Sequence, residues 1–398
     1  MEGKRVITSL RLENILSFGS DAQDIELQPL NVLIGPNASG KSNFIEAFRI
    51  LNATPEDVGQ PIREGGSIGE YLWKGGIKIN KFSIRITVTA PNKNHELFYG
   101  VTIIDDRSWV KIFFESISYL QGEEGINDLY ETIGNGRAEI YSRQTPSSDN
   151  ASSITKYLPS NISIDQSKSI LSQYKNPEAF PEISHLQDIF SSIHFYTGWN
   201  LGRHGALRYP QNANLPSANL LEDGSNLGLV LINKPASVRH QITERLKAVL
   251  PTVEEIFPKV EGGAVPLYIR EKGLSTPISA ARLSEGTLRY LCLLTILLDP
   301  TPPPIICLEE PEVGLHPHVI PQIAELLIEA SQRTQLIVTT HSDALISGLS
   351  EHPEAIIICE RDDEGTKLRR LEAEQIKPWL DRYAIGDLWR MGEIGGVR

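Results

Sequence analysis

The sequence predicts an α/β fold. It is a mixed sheet with antiparallel N-terminal strands and a parallel core, carrying an inserted, mainly helical or irregular lid region. Three observations lead there. Residues 5–34 and 82–118 alternate apolar and polar side chains, the period of half-buried strands. The C-terminal third alternates short continuous apolar runs (PIICL, QLIVTT, AIIIC) with helical patterns near 287–299, 318–332 and 342–350. Such runs between helices imply parallel strands covered on both faces. In between, residues 121–180 lose both periods, and SRQTPSSDNASSITK has the Ser/Thr/Asn content of an exposed loop.

Taken in order, VITSLRLENI and IELQPLNVLI read as antiparallel strands leading into a buried strand, Asn31–Ile34. In KSNFIEAFRILNA, Phe44, Ile45, Phe48 and Leu51 fall at helical spacing, which marks an amphipathic helix. FSIRITVTA, LFYGVTII and WVKIFFESISY return to the strand period. The expected division is 1–118 for the first part of the main domain, 119–215 for the insertion or lid, and 216–398 for the second part.

Bulk composition narrows the functional classes. With 398 residues and 40% hydrophobic content the chain can bury a large core. A net charge of −12 argues against coating nucleic acid by bulk charge, though not against a local basic patch. No apolar run approaches a membrane span, and the first residues lack an apolar signal core. Cys292, Cys307 and Cys359 lie in apolar contexts and read as buried thiols. A soluble, cytoplasmic protein is expected.

The most specific local signal is GPNASGKS, Gly35–Ser42, which fits G-x-x-x-x-G-K-[ST] between a buried strand and a helix. Glycines let the backbone wrap a phosphate, and the helix N-terminus favours its charge. Gly35, Pro36, Asn37, Ala38, Ser39, Gly40, Lys41, Ser42 and Asn43 are therefore the nucleotide-binding candidates. Lys41 is expected to reach the β- and γ-phosphates of ATP, and the Ser42 hydroxyl to ligate Mg²⁺.

PIICLEEPEVGLHP ends an apolar strand in two carboxylates, Glu309 and Glu310. Adjacent acids there are costly unless a cation or substrate balances them. Because side chains alternate along a strand, one acid can face a metal and the other an attacking water. Glu309 is assigned to the Mg²⁺ and Glu310 to the water as general base. The competing reading is a solvated acidic turn that includes Glu312. QLIVTTHSDALI places His341 at the C-terminal end of another buried strand, where ligands bind in open α/β sheets and where it can sense a γ-phosphate. Otherwise His341 is incidental to a turn capped by Ser342. ARLSEGTLRYL starts a helix with a hydroxyl, Ser284, and a bare backbone, Gly286, which is a ready anion site. The simpler alternative is that Ser284 only caps its helix.

In this order, GPNASGKS, LSEGT, CLEEPEVGLHP and VTTHS resemble the ABC-type ATPase heads of the SMC/RecF/OLD-like group. DGSNLGLVL and GDLWRMGEIGG are similar to the small RecF-like, AAA-family ATPases of bacteria. The resemblance covers about 1–118 and 216–398. It implies a P-loop NTPase with an ABC-type head, and an ATP-dependent homodimer. Ser284 and Gly286 of one copy would then touch the γ-phosphate held by Lys41 of the other. It also implies work on or near DNA, in repair or anti-phage defence. Alternatives are a nucleotide-gated scaffold controlling an effector nuclease, and an ABC transporter subunit. The pattern departs from SMC heads in lacking long heptads, and from OLD nucleases in that the roughly fifty residues after His341 are too few for a nuclease domain. The Q-loop of such heads is not evident; Gln121 sits in a strand-end context and is given no role. The best local candidate for DNA is GWNLGRHGALRYPQ, where Arg203, His204 and Arg208 interleave with Trp199 and Tyr209. The alternative is a surface loop or a nucleotide-side arginine.

Overall fold

The computed structural model describes residues 2–76, 79–91, 95–121, 125–134, 136–144, 156–380 and 382–395. These residues form two large sheets. The first is antiparallel, in the order β2 (Asp24–Glu26), β1 (Ile7–Glu13), β4 (Lys81–Thr89), β5 (Glu96–Asp106), β6 (Trp109–Gln121), β7 (Gly125–Gly134), β8 (Arg137–Gln144), β9 (Lys156–Ser163). The second runs β10 (Ile193–Tyr196), β16 (Ile305–Glu309), β17 (Gln335–Thr339), β3 (Leu30–Ile34), β18 (Ile356–Asp362), β19 (Gly365–Arg370). Its pairings are parallel except the last, β18 with β19. Two small sheets pair β11 (Gln211–Asn212) with β13 (Ala264–Val265), and β12 (Val253–Pro258) with β14 (Leu267–Glu271) and β15 (Ile278–Ser279).

The helices explain the two-sided burial of the parallel strands. α1 (Lys41–Ala53), α2 (Gln60–Glu64) and α3 (Ile68–Tyr71) precede β4, and α4 (Ile170–Gln173) and α5 (Pro181–Ser191) precede β10. After β11 come α6 (Leu227–Asn233), α7 (Ala236–Val249), α8 (Glu285–Leu297), α9 (Ile320–Ser331), α10 (Asp343–Ser347), α11 (Ala373–Leu380) and α12 (Ile385–Met391). Alternate strand residues enter two separate cores. Ile305, Cys307, Ile337, Ile357 and Cys359 join the core shared with α1 and the antiparallel sheet. Ile306, Leu308, Val338, Ile356 and Ile358 join the one shared with α8, α9 and α12. This is the period-2 alternation of a strand buried on both faces. The three cysteines are buried and free, as their apolar contexts predict. Among the described residues no helix is long and apolar enough to cross a membrane.

The mixed α/β class stands as read, but the insertion is corrected. The described residues of 119–163 are not mainly helical or irregular: β6 continues to Gln121, and β7, β8 and β9 extend the antiparallel sheet. β10, also within 119–215, pairs in parallel with β16 and so belongs to the second sheet. Most of the Ser-rich stretch read as an exposed loop, residues 145–155, lies outside the described residues.

Two buried polar groups join these parts. Gln335 at the start of β17 accepts from the backbone N–H groups of Val6 and Ile7 and donates to the carbonyls of Ile7 and Gln28. It is fully buried, so the link between the two sheets is hydrogen-bonded at both ends of its amide. Glu115 on β6 accepts from Tyr99 Oη at 2.8 Å, from the Ile170 N–H at 2.8 Å and from Ser169 Oγ. Burial pushes its carboxyl above the ordinary value, and the hydrogen bonds from Ile170, Ser169 and Tyr99 oppose that. The carboxylate ties the turn before α4 onto the sheet. Glu115→Ala strands three donors in a buried site and should cost about 3 kcal/mol of stability. Denaturant unfolding measures this, and a loss below about 1 kcal/mol would contradict the assignment.

Candidate functional site

The site forms where the parallel strands end. β3 stops at Ile34, Gly35–Gly40 turn, and α1 starts at Lys41. The turn needs left-handed backbone at Ala38 (φ 64°) and Gly40 (φ 106°). A Cβ on Gly40 would lie 2.3 Å from Thr366 Oγ1 and 2.6 Å from Ser17 Oγ, so only glycine fits. A Cβ on Gly35 would meet the Cys359 carbonyl at 2.4 Å. The loop is thus braced from behind by β18, β19 and the turn after β1. Thr366 Oγ1 lies 2.8 Å from both the Ser39 carbonyl and Ser17 Oγ. Arg361 donates to the Ala38 carbonyl at 3.3 Å. Sequence reasoning missed Ser17, Arg361 and Thr366, because contacts this distant in the chain leave no local pattern.

Lys41 is buried, and its Nζ donates to the carbonyls of Gly35 (2.8 Å) and Pro36 (2.9 Å). Burial pushes the amine's pKa down, and the charges of Glu310 and Glu309 act against that. Asn37 and Ala38 face solvent, and Ser39 Oγ is buried without a partner. Asn43 lines a cavity of about 520 Å³ together with Ser17, Trp73 and Arg361. Ser42 Oγ donates to Glu309 Oε1. One turn further along α1, Glu46 has its carboxyl pushed up by burial, with Glu309 among the charges that add to the rise. Arg49, on the same face, binds Thr197 Oγ1 at 2.6 Å and the carboxylate of Glu222. Its guanidinium lies over the Phe195 ring of β10, 4.4 Å from the centroid.

The acidic strand end departs from simple alternation. β16 stops at Glu309, and Glu310 is left-handed, with φ 43°. The strand period therefore ends one residue earlier than expected, and a turn rather than the pleat aims Glu310. A non-glycine residue in that region carries strain, which the surroundings must hold. The Glu310 N–H donates to the Thr339 carbonyl at 3.0 Å. Its Oε1 lies 3.5 Å from His341 Nε2, so the two acid–base candidates face each other. Glu312 is not a solvated acid. It is buried, and its Oε1 accepts from Thr340 Oγ1 and the His341 N–H, while Oε2 has no partner. Glu312 thereby fixes the His341 turn to the loop after β16. Three acids within four positions was the only signal for it.

Ser284 caps α8, accepting from the Thr287 N–H at 3.1 Å, and remains exposed. A Cβ on Gly286 would sit 2.8 Å from the Gly314 carbonyl, so α8 packs tightly on the loop after Glu312. Among the described residues no hydrogen bond joins Ser284 or Gly286 to the Gly35–Asn43 segment of the same chain. Lys41, Ser42, Glu309, Glu310 and His341 gather at one sheet edge. Arg208 departs from the DNA reading, since its guanidinium is engaged with backbone carbonyls. Arg203 and His204 are exposed.

The Old nuclease of Escherichia phage P2 is 26% identical to this chain over 174 residues, 41% of the chain and 28% of that protein. The match thus spans under a third of that relative's length. Two solved structures are similar in fold. One, an Smc head bound to the C-winged helix domain of ScpA, has a TM-score of 0.58 and 14% identity over 94% of this chain and 100% of its own. The other, an Smc head from Pyrococcus furiosus with an extended coiled coil, bound to the C-terminal domain of ScpA, has a TM-score of 0.54 and 14% identity over 94% and 98%. A family model described as "AAA domain, putative AbiEii toxin, Type IV TA system" matches residues 30–347. The chain belongs to that AAA family, and its fold is similar to that of Smc heads.

Proposed function

We propose that the chain binds Mg·ATP on the Gly35–Ser42 loop, hydrolyses it to ADP and phosphate, and dimerises around it. The observation that carries this reading is the convergence of Lys41, the Ser42–Glu309 pair and the Glu310–His341 pair at one sheet edge. The oxygens of Ser42 and Glu309 already meet, and hard oxygen donors suit Mg²⁺. When bound, the metal would offset charge on the phosphates. Lys41 exchanges its two carbonyl contacts for phosphate oxygens, and the loop N–H groups cradle them. Glu310 accepts the proton of the attacking water, and His341 holds Glu310 and reads the γ-phosphate. Ser284 and Gly286 cap the nucleotide held by Lys41 of a second copy. Both anion sites on one chain then serve a two-fold dimer.

In this reading the protein is cytoplasmic and works on or near DNA, in repair or anti-phage defence. Its similarity to part of the Old nuclease supports that direction. The same similarity supports a second reading, a nucleotide-gated scaffold that controls an effector nuclease supplied by another chain. DNA-stimulated turnover favours the first and a co-purifying nuclease the second.

Lys41→Ala should weaken ATP binding by about a hundredfold or more, since a charge-assisted contact to phosphate is lost. Titration with a fluorescent ATP analogue reads this, and unchanged affinity would remove the loop from the mechanism. Glu310→Gln should keep ATP affinity within about twofold while lowering turnover by roughly 10²–10³. Turnover near the wild-type rate would mean that another group activates the water.

A further inference from the structure

The segment between β10 and the small strand β11 has no role in the reading above. It begins at the sheet edge beside β16, since Tyr196 pairs with Leu308. It ends at Arg208, whose guanidinium contacts two separate stretches of backbone. Nε donates to the Leu201 and Gly202 carbonyls at 2.8 and 3.0 Å. Nη1 donates to the Leu283 carbonyl at 2.7 Å, with the Ala281 and Ala280 carbonyls at 3.3 and 3.5 Å. Leu283 immediately precedes Ser284. A carbonyl at a turn accepts from one donor readily, but a planar fork bridging two strands of backbone fixes their relative position. Lysine has no such fork.

A further contact fastens the same segment to α8. Arg289 of α8 lies over the Trp199 ring, 5.5 Å from its centroid. Arg208 from the loop and Arg289 from the helix thus tie the 199–208 segment to α8 and to the backbone just before Ser284. Among the described residues the Ser284 side chain hydrogen-bonds only to Thr287 of its own helix.

We infer that Arg208 is a positioning residue that holds the Leu283–Gly286 turn in the shape that caps a nucleotide bound to a second copy. The inference rests on the shared-nucleotide dimer. Its consequence is directional: Arg208 serves the ATP on the opposite protomer, not the ATP on its own Lys41. Loss of Arg208 leaves nucleotide binding by the same chain intact and impairs only the cap it presents.

Complementation between protomers tests this. Arg208→Ala alone should lower ATP turnover about tenfold or more, as loss of the bridging bonds releases the turn. Its affinity for a fluorescent ATP analogue, measured on dilute protein, should match the wild type. Arg208→Lys should not rescue, and it provides a second variant if the alanine protein does not fold. Mixing Arg208→Ala with Lys41→Ala gives heterodimers in which one site combines an intact Lys41 with an intact cap. A 1:1 mixture should recover about a quarter of wild-type turnover, because half the dimers hold one sound site of two. Ser284→Arg mixed with Lys41→Ala is the reference. If the reference pair recovers and the Arg208 pair does not, Arg208 acts on its own protomer and the inference is overturned. If neither pair recovers, the shared-nucleotide reading falls and takes this inference with it. Full turnover by Arg208→Ala alone also overturns it.

Discussion

Everything at the site depends on the parallel register of β17 between β16 and β3. Thr339 pairs with Glu309 on one side and Leu33 on the other. That register brings three chain segments out at one edge: the loop after Ile34, the acids at 309–310, and Thr340–His341. The strands hold it because their side chains alternate between two dry cores, and a slip of one residue would exchange the faces. Parallel pairing also orients all three exits the same way. Groups 267 residues apart in sequence, Ser42 and Glu309, are thus brought into a hydrogen bond by backbone geometry.

The antiparallel sheet is the second support. Gln335 anchors its first strand to the start of β17, so the two sheets share a fully satisfied polar joint. Thr366 and Ser17 press on the back of the Gly35–Gly40 loop, and glycine is the one residue type at position 40 that accommodates them. The loop's shape is therefore imposed from behind and is not a property of the glycines alone. Glu310 is a related case. Its left-handed backbone is held by the Thr339 carbonyl and aims its carboxylate toward His341.

Much of this was legible in the sequence where the signal is local. Gly35–Ser42 fits a fixed spacing, and the strands around Ile306, Ile337 and Ile357 are apolar without a break, so element and site could be read together. The 119–163 region was not legible. β7 (GINDLYETIG) mixes Gly, Asn, Asp and Glu into a strand whose neighbours supply the burial, so its own pattern is weak. A solvated turn including Glu312 stood as a competing reading because nothing local announces that Thr340 Oγ1 and the His341 N–H will donate to it. Arg208 looked like a basic surface residue for the same reason. Its partners are backbone carbonyls, which carry no side-chain signature. Sequence patterns reveal periods and spacings, whereas these three features depend on long-range closure.

The central claim is that one nucleotide is shared by two chains, through Lys41 of one and Ser284 of the other. The most direct measurement is solution mass by light scattering for Glu310→Gln, with and without Mg·ATP. The account predicts that mass doubles with Mg·ATP, and that adding Ser284→Arg abolishes the doubling while ATP still binds. A mass that ignores ATP, or a doubling that survives Ser284→Arg, would contradict it.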